Sequence, residues 1–153
     1  MVKMSINDII IRYSFVSKIL FKDGDNSLSK DLKIKIMSIR IEYGKINRAF
    51  EEDVQEFANG IIEDRFKELG NKENKTEEEV NEYNNLVSKY NNETNDYISK
   101  YILNEAEVNE YTFTKDEFNE ILLTNSDNNV NINNNDIEAA DFLESIYTLF
   151  VKE

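Results

Sequence analysis

The polar and apolar positions of the chain fall into steps of three and four over most of its length, which is the period of an α-helix. The longest such run lies between Ser29 and Leu69, with Leu32, Ile36, Ile39, Tyr43, Ile46, Phe50, Val54, Phe57 and Ile61 along one side. Ser29 offers an N-cap and Gly70 a C′ glycine, so the pattern predicts one helix over 29–69. At 1.5 Å per residue it would extend roughly 60 Å. Asn59-Gly60 is the point at which it would break, because glycine costs about 1 kcal/mol in a helix interior. A second run, Val80, Tyr83, Val87, Tyr90, Thr94, Tyr97 and Tyr101, steps strictly by three and four behind a Thr76/Glu79 capping box. The polar loop 71–75 joins the two, so they are expected to fold back as a long antiparallel, coiled-coil-like hairpin with the tyrosines in its seam.

Shorter elements flank this pair. Ser5 caps a helix expected to run to about Leu20, with a wide apolar face. Val108 to Phe113 alternates and is rich in β-formers, which suggests one short strand. Thr114 and Glu117 form another capping box, Asn125 to Asp136 reads as an asparagine-rich loop, and Asp136 caps a last helix carrying Ile137, Ala140, Leu143, Ile146, Tyr147 and Phe150. The second long helix is too short to cover all of the first, so the shorter helices must cover its N-terminal part. The expected architecture is all-α and a single domain over 1–153, with a head from 1–45 and 105–153 and a hairpin stalk from 46–104. The absence of proline and the presence of only four glycines suit it.

Charge narrows the function. The net charge is −13, unevenly distributed: +5 over residues 1–48 and −18 over the remainder. Such a chain is expected to be repelled by nucleic acid and anionic membranes. Asp8, Arg12 and Lys18 interrupt the N-terminal apolar stretch, so neither a signal peptide nor a transmembrane helix is expected there. With no cysteine and no histidine, the chain lacks the thiolate nucleophile and the commonest general base and metal ligand, and the expectation is a non-enzyme without a cofactor.

The chemistry that remains is sparse. The loop from Asp127 to Glu138 places oxygen side chains at calcium-loop positions one, three, five, nine and twelve: Asp127, Asn129, Asn131, Asn135 and Glu138. Position six, where the turn needs glycine, is Ile132, so no metal site is expected; the turn at 23–34 fails similarly at Leu28 and Ile34. The carboxylate clusters 51–53, 63–64 and 77–79 lie beside the apolar stripes and read as solvated faces. The scattered basic residues lack exposed aromatics between them. The first helix wraps apolar residues beyond one stripe, which makes Ile9, Tyr13, Phe15, Val16 and Ile19 candidates for a contact with a protein partner, a second copy included.

The order of parts also resembles that of small tailed-bacteriophage proteins of unknown function. The stretches that carry the resemblance are the N-terminal helix and turn, the long helix with Ile41-Glu42-Tyr43-Gly44-Lys45, the second helix with Val80-Asn81-Glu82-Tyr83-Asn84, the extended 108–113 segment and Asp136-Ile137-Glu138-Ala139-Ala140-Asp141-Phe142-Leu143. The resemblance implies no catalytic residues. It implies a protein of the virion or the host cytoplasm, active through protein–protein contacts in virion structure or assembly. An acidic inhibitor imitating DNA on a host protein is the alternative.

Overall fold

The computed structural model describes residues 1–152, and of Asn26 the backbone alone. It is mostly helical (66%), with six α-helices among the described residues. In chain order the elements are β1 (Val2–Ser5), α1 (Ile6–Val16), a 3-10 turn (Gly24–Asn26), α2 (Lys30–Gly60), α3 (Asp64–Asn71), α4 (Glu77–Tyr101), β2 (Glu105–Val108), α5 (Lys115–Thr124), β3 (Val130–Ile132), β4 (Asn135–Ile137) and α6 (Ala139–Phe150). Two compact units divide the chain: Met1–Asn47 with Glu105–Glu153, and Arg48–Asn104.

In the first unit, apolar residues from helices α1, α2, α5 and α6 and from both ribbons meet in one core. Ile9, Leu32, Ile36, Ile39, Phe142 and Ile146 are almost wholly buried, each contributing about 1.5–3 kcal/mol. Tyr43 enters the same core and donates its hydroxyl to the carbonyl of Asn109 at 2.8 Å. Burial raises its pKa above the ordinary tyrosine value. Gly44 follows because a Cβ there would come within 3.0 Å of the Tyr13 ring, so glycine is what lets α1 lie this close to α2.

The ends of α1 explain its length. Ser5 caps it as expected, its hydroxyl accepting from the Asp8 N–H at 3.1 Å. The helix stops at Val16 instead of near Leu20, because Arg40 reaches across from α2 and donates to the carbonyls of Val16 (3.2 Å) and Ile19 (2.5 Å). Chain reversal then uses Lys22 and Gly24 at positive φ.

The β-structure differs from expectation. The strand lies at Glu105–Val108, earlier than 108–113, and pairs antiparallel with β1, with Val2 opposite Val108 and Lys3 opposite Glu107. Its partner is a four-residue segment too short to show a period, so register had to come from the core, which takes Val108 and packs against Val2 and Met4. Phe113 makes only an isolated parallel bridge to Val151. The asparagine-rich loop is a second ribbon, β3–β4, turned by Asn133 and Asn134 at φ 53° and 65°. Two successive positive φ values make the type I′ turn that suits a two-residue hairpin, and asparagine tolerates them.

The single helix expected over 29–69 is instead α2 and α3, separated at Ile61–Glu63. Gly60 weakens the helix at that point, and Tyr90 supplies what the break exposes: its hydroxyl accepts from the Glu63 N–H (3.2 Å) and donates to the Glu63 carboxylate (3.0 Å). Phe66 of α3 can then stack on Tyr83 and meet Tyr90 edge-on. Within this second unit Phe50 pairs with Tyr101 and Phe57 with Tyr97, the latter stacked at 4.2 Å. The Thr76/Glu79 capping box opens α4 as the sequence predicts, and the Thr114/Glu117 box opens α5.

Candidate functional site

Helix α2 carries two apolar faces. Leu32, Ile36, Ile39 and Tyr43 face the core of the first unit. Ile34, Met37 and Ile41, spaced three and four apart, point roughly 160° away from them at 100° per residue. They are 53, 50 and 57% exposed, so large apolar side chains stay uncovered over two turns. Ser38 lies among them, but its hydroxyl is turned back onto the carbonyl of Ile34 at 2.9 Å. Lys30 and Lys45, both exposed, continue the same face at either end. Among the described residues neither lysine is held in an ion pair. By contrast the flank of α2 is tied down: Lys35 pairs with Glu117 at 2.7 Å and Glu42 accepts two hydrogen bonds from Asn109.

The contact candidates of α1 lie mostly inside. Ile9 and Val16 are fully buried and Ile19 is 2% exposed, all in the first unit's core. The broad apolar face of α1 is therefore met from within the unit, by α2 on one side and α6 on the other, and those three cannot form an open contact surface. Tyr13 is half-buried against Gly44. Phe15 is half-buried and meets Phe142 edge-on, at the floor of a groove of about 360 Å³ with Ile11 and Leu149 beside it and Asp141 and Glu144 on its rim.

The calcium-like loop disperses its oxygens. Asp127 is ion-paired with Lys22 at 3.0 Å, Asn129 accepts from the Ala139 N–H at 2.9 Å at the start of α6, and Asn131 donates to Asp136 at 2.8 Å across the ribbon. In the ribbon register Asn135 stands opposite Ile132, on the other face from Asn131, and Asp127, Asn129 and Asn131 are each engaged with a different partner, so the five side chains do not form the ring of a calcium loop. Among the described residues no three His, Cys, Asp or Glu side chains come together as a cation would need.

A second concavity, about 550 Å³, lies beyond the end of α1 and is lined by Lys18, Phe21, Arg40 and the β3 ribbon. Arg40 lies over the Phe21 ring at 4.8 Å and spends its donors on the end of α1, and burial pushes its pKa down. Carboxylates with displaced pKa values are displaced downward. The Lys72 ammonium holds Glu79 at about 2, and Arg65, Lys152 and Lys22 lower Glu82, Glu110 and Asp127. Glu117 is buried enough to be pushed up, yet Lys35 and Thr114 bring it below the ordinary range.

The outer face of α2 was hidden in the sequence because the stronger stripe on the same helix dominates its period. The available signal was Ile34, Met37 and Ile41 recurring at helical spacing off that stripe. Among the described residues no helix is long and apolar enough to cross a membrane. Comparison of the chain with protein-family models, with curated proteins and with solved structures finds no match.

Proposed function

We propose that this protein is a non-enzymatic binding module that acts through protein–protein contacts made by the outer face of α2, in the setting the resemblance implies, virion structure or assembly. The observation that carries the reading is the uncovered trio Ile34, Met37 and Ile41 on a helix whose other face is already packed. Half-exposed side chains of this size have about half of their 1.5–3 kcal/mol still to gain, or about 3 kcal/mol for the three. That is enough to anchor an interface centre.

We read Arg48–Asn104 as the antiparallel, coiled-coil-like hairpin expected from the sequence; the reversed order of its aromatic pairs supports this. An inhibitor imitating DNA would present rows of unpaired carboxylates. Among the described residues Glu63, Glu79, Glu82 and Asp96 stand beside a lysine or arginine while exposed Glu52, Glu56, Glu77 and Glu78 have no ion pair, so it is the uncovered apolar trio of α2, which a DNA mimic does not need, that favours the contact module.

A photo-crosslinking residue at position 37, introduced in the cells that make the protein, is the test. The expected result is a discrete protein adduct that disappears in the Ile34→Asp/Ile41→Asp background and is absent when the crosslinker sits at exposed Lys100. Adducts of equal yield at both positions, or none at position 37, would overturn the reading.

A further inference from the structure

We infer that the partner of the α2 outer face is an acidic amphipathic helix of a different protein, bound along the line from Lys30 to Lys45; this rests on the contact-module reading above. The face is apolar at its centre and cationic at both ends: Lys30, then Ile34, Met37 and Ile41, then Lys45, with no carboxylate among them. Both lysines belong to the basic stretch 1–48, net +5 in a chain of net charge −13, so the part of the molecule that carries this face has the sign that attracts an acidic partner. Lys30 and Lys45 lie about 22 Å apart along the helix axis, four turns. The complement is a helix with apolar residues at i, i+3 or i+4 and i+7, flanked by Asp or Glu about four turns apart.

Charge argues against a second copy as occupant. In a two-fold pairing of this face with itself, an antiparallel arrangement sets Lys30 against Lys45 of the other copy at both ends, and a parallel one sets each lysine against its equal. Either arrangement places like charges together beside a desolvated apolar centre. The groove beside Phe15, with Asp141 and Glu144 on its rim, has the right sign, but at about 360 Å³ it accepts a side chain or two and not four turns of helix. A bilayer is a poor match too. The core fixes the opposite side of α2, so only a narrow ridge could enter the interface, and the net charge repels anionic lipid.

The test uses the full chain and two helical peptides of about 20 residues. One carries leucines at the complementary spacing between glutamates; its twin has lysines in place of the glutamates. Fluorescence anisotropy is expected to show the acidic peptide binding at least about tenfold tighter than its twin. Lys30→Glu/Lys45→Glu should invert that preference, and Ile41→Asp should abolish both. Met37→Glu, at another exposed position of the same face, provides a second disrupting variant, and the far-UV dichroism of each variant should match wild type. Equal affinity for the two peptides, or binding indifferent to Ile41→Asp and Met37→Glu, would overturn the inference. So would sedimentation showing a dimer that these variants dissociate, an outcome that leaves the contact-module reading standing. Flotation with phosphatidylserine vesicles, lost in the same variants, would overturn both.

Discussion

Asn125 is fully buried and holds the chain reversal after α1 onto the end of α5. Its amide oxygen accepts from the Leu20 N–H at 2.8 Å, and its nitrogen donates to the carbonyls of Leu20 at 3.2 Å and Ile121 at 2.9 Å. In Asn125→Ala the Ile121 carbonyl keeps the backbone N–H of residue 125, which reaches it at 2.9 Å. The Leu20 N–H and carbonyl lose their partners. Each unsatisfied group costs about 1–3 kcal/mol, and partial access of water at Leu20 relieves some of it, so a loss of about 2–4 kcal/mol is expected. At about 2–4 °C per kcal/mol for a chain of this size, the melting temperature should fall by about 5–15 °C. Urea unfolding of wild type, Asn125→Ala and Asn128→Ala measures the difference. The half-exposed Asn128, which donates to the Lys18 carbonyl and the Asn125 oxygen, should cost clearly less. Asn125→Asp adds a sharper check. It preserves the bond from the Leu20 N–H but turns a second oxygen toward two carbonyls, which raises the pKa of the new carboxyl. Its deficit against wild type should therefore be greatest at neutral pH and shrink as acidification protonates the group. An Asn125→Ala variant within about 0.5 kcal/mol of wild type would refute the reasoning.

Tyr101 donates to Asp53 at 2.8 Å, and its pKa is pushed up to about 12, by burial first and then by the Asp53 bond. A raised phenol contributes stability in full below the ordinary value of about 10, and that contribution is lost as pH rises from there through about 12. Absorbance titration at 295 nm should show a late-ionising tyrosine that is missing from Tyr101→Phe. At the ribbon turn, Asn134→Gly should raise unfolding free energy by up to about 1 kcal/mol and Asn134→Val should lower it by about 1–2 kcal/mol, because position 134 is held at φ 65°; no difference between the two in a thermal melt would contradict the turn assignment.

Where the chain's local signals and its tertiary contacts agree, the structure was legible in advance. The Thr76/Glu79 and Thr114/Glu117 boxes are local, and both open helices. The heptad of tyrosines is a period, and its rings pack on Phe50, Phe57 and Phe66. What escaped was set by distant partners. The end of α1 depends on Arg40, 24 residues from Val16, and the break after Gly60 depends on the Tyr90 hydroxyl, 27 residues from Glu63. The β1 strand is legible only once Glu105–Val108 lies beside it. The asparagine ribbon is a different case, since Asn133-Asn134 between Val130-x-Ile132 and Ile137 is a local turn signal that composition masked.

The candidate site was missed for a reason that generalises. A periodicity search finds the strongest stripe on a helix and treats that stripe as the helix's one apolar face, whereas α2 has two. Leu32, Ile36, Ile39 and Tyr43 explain why the helix is packed; they do not account for Ile34, Met37 and Ile41 on the far side. On α1, the broad apolar surface that suggests a partner at Ile9, Tyr13, Phe15, Val16 and Ile19 has Ile9, Val16 and Ile19 buried in the core and Tyr13 and Phe15 half-buried. Its extra breadth is used within the unit, because Arg12 of α1 donates to the Leu149 carbonyl of α6 and Phe15 meets Phe142. Breadth of an apolar face counts how many neighbours a helix needs, and only the fold says how many it already has. For α1 that number is met by α2 and α6. For the first five turns of α2 the core supplies cover on one side, and the opposite side, bracketed by Lys30 and Lys45, which have no ion pair among the described residues, is the one left to be covered from outside.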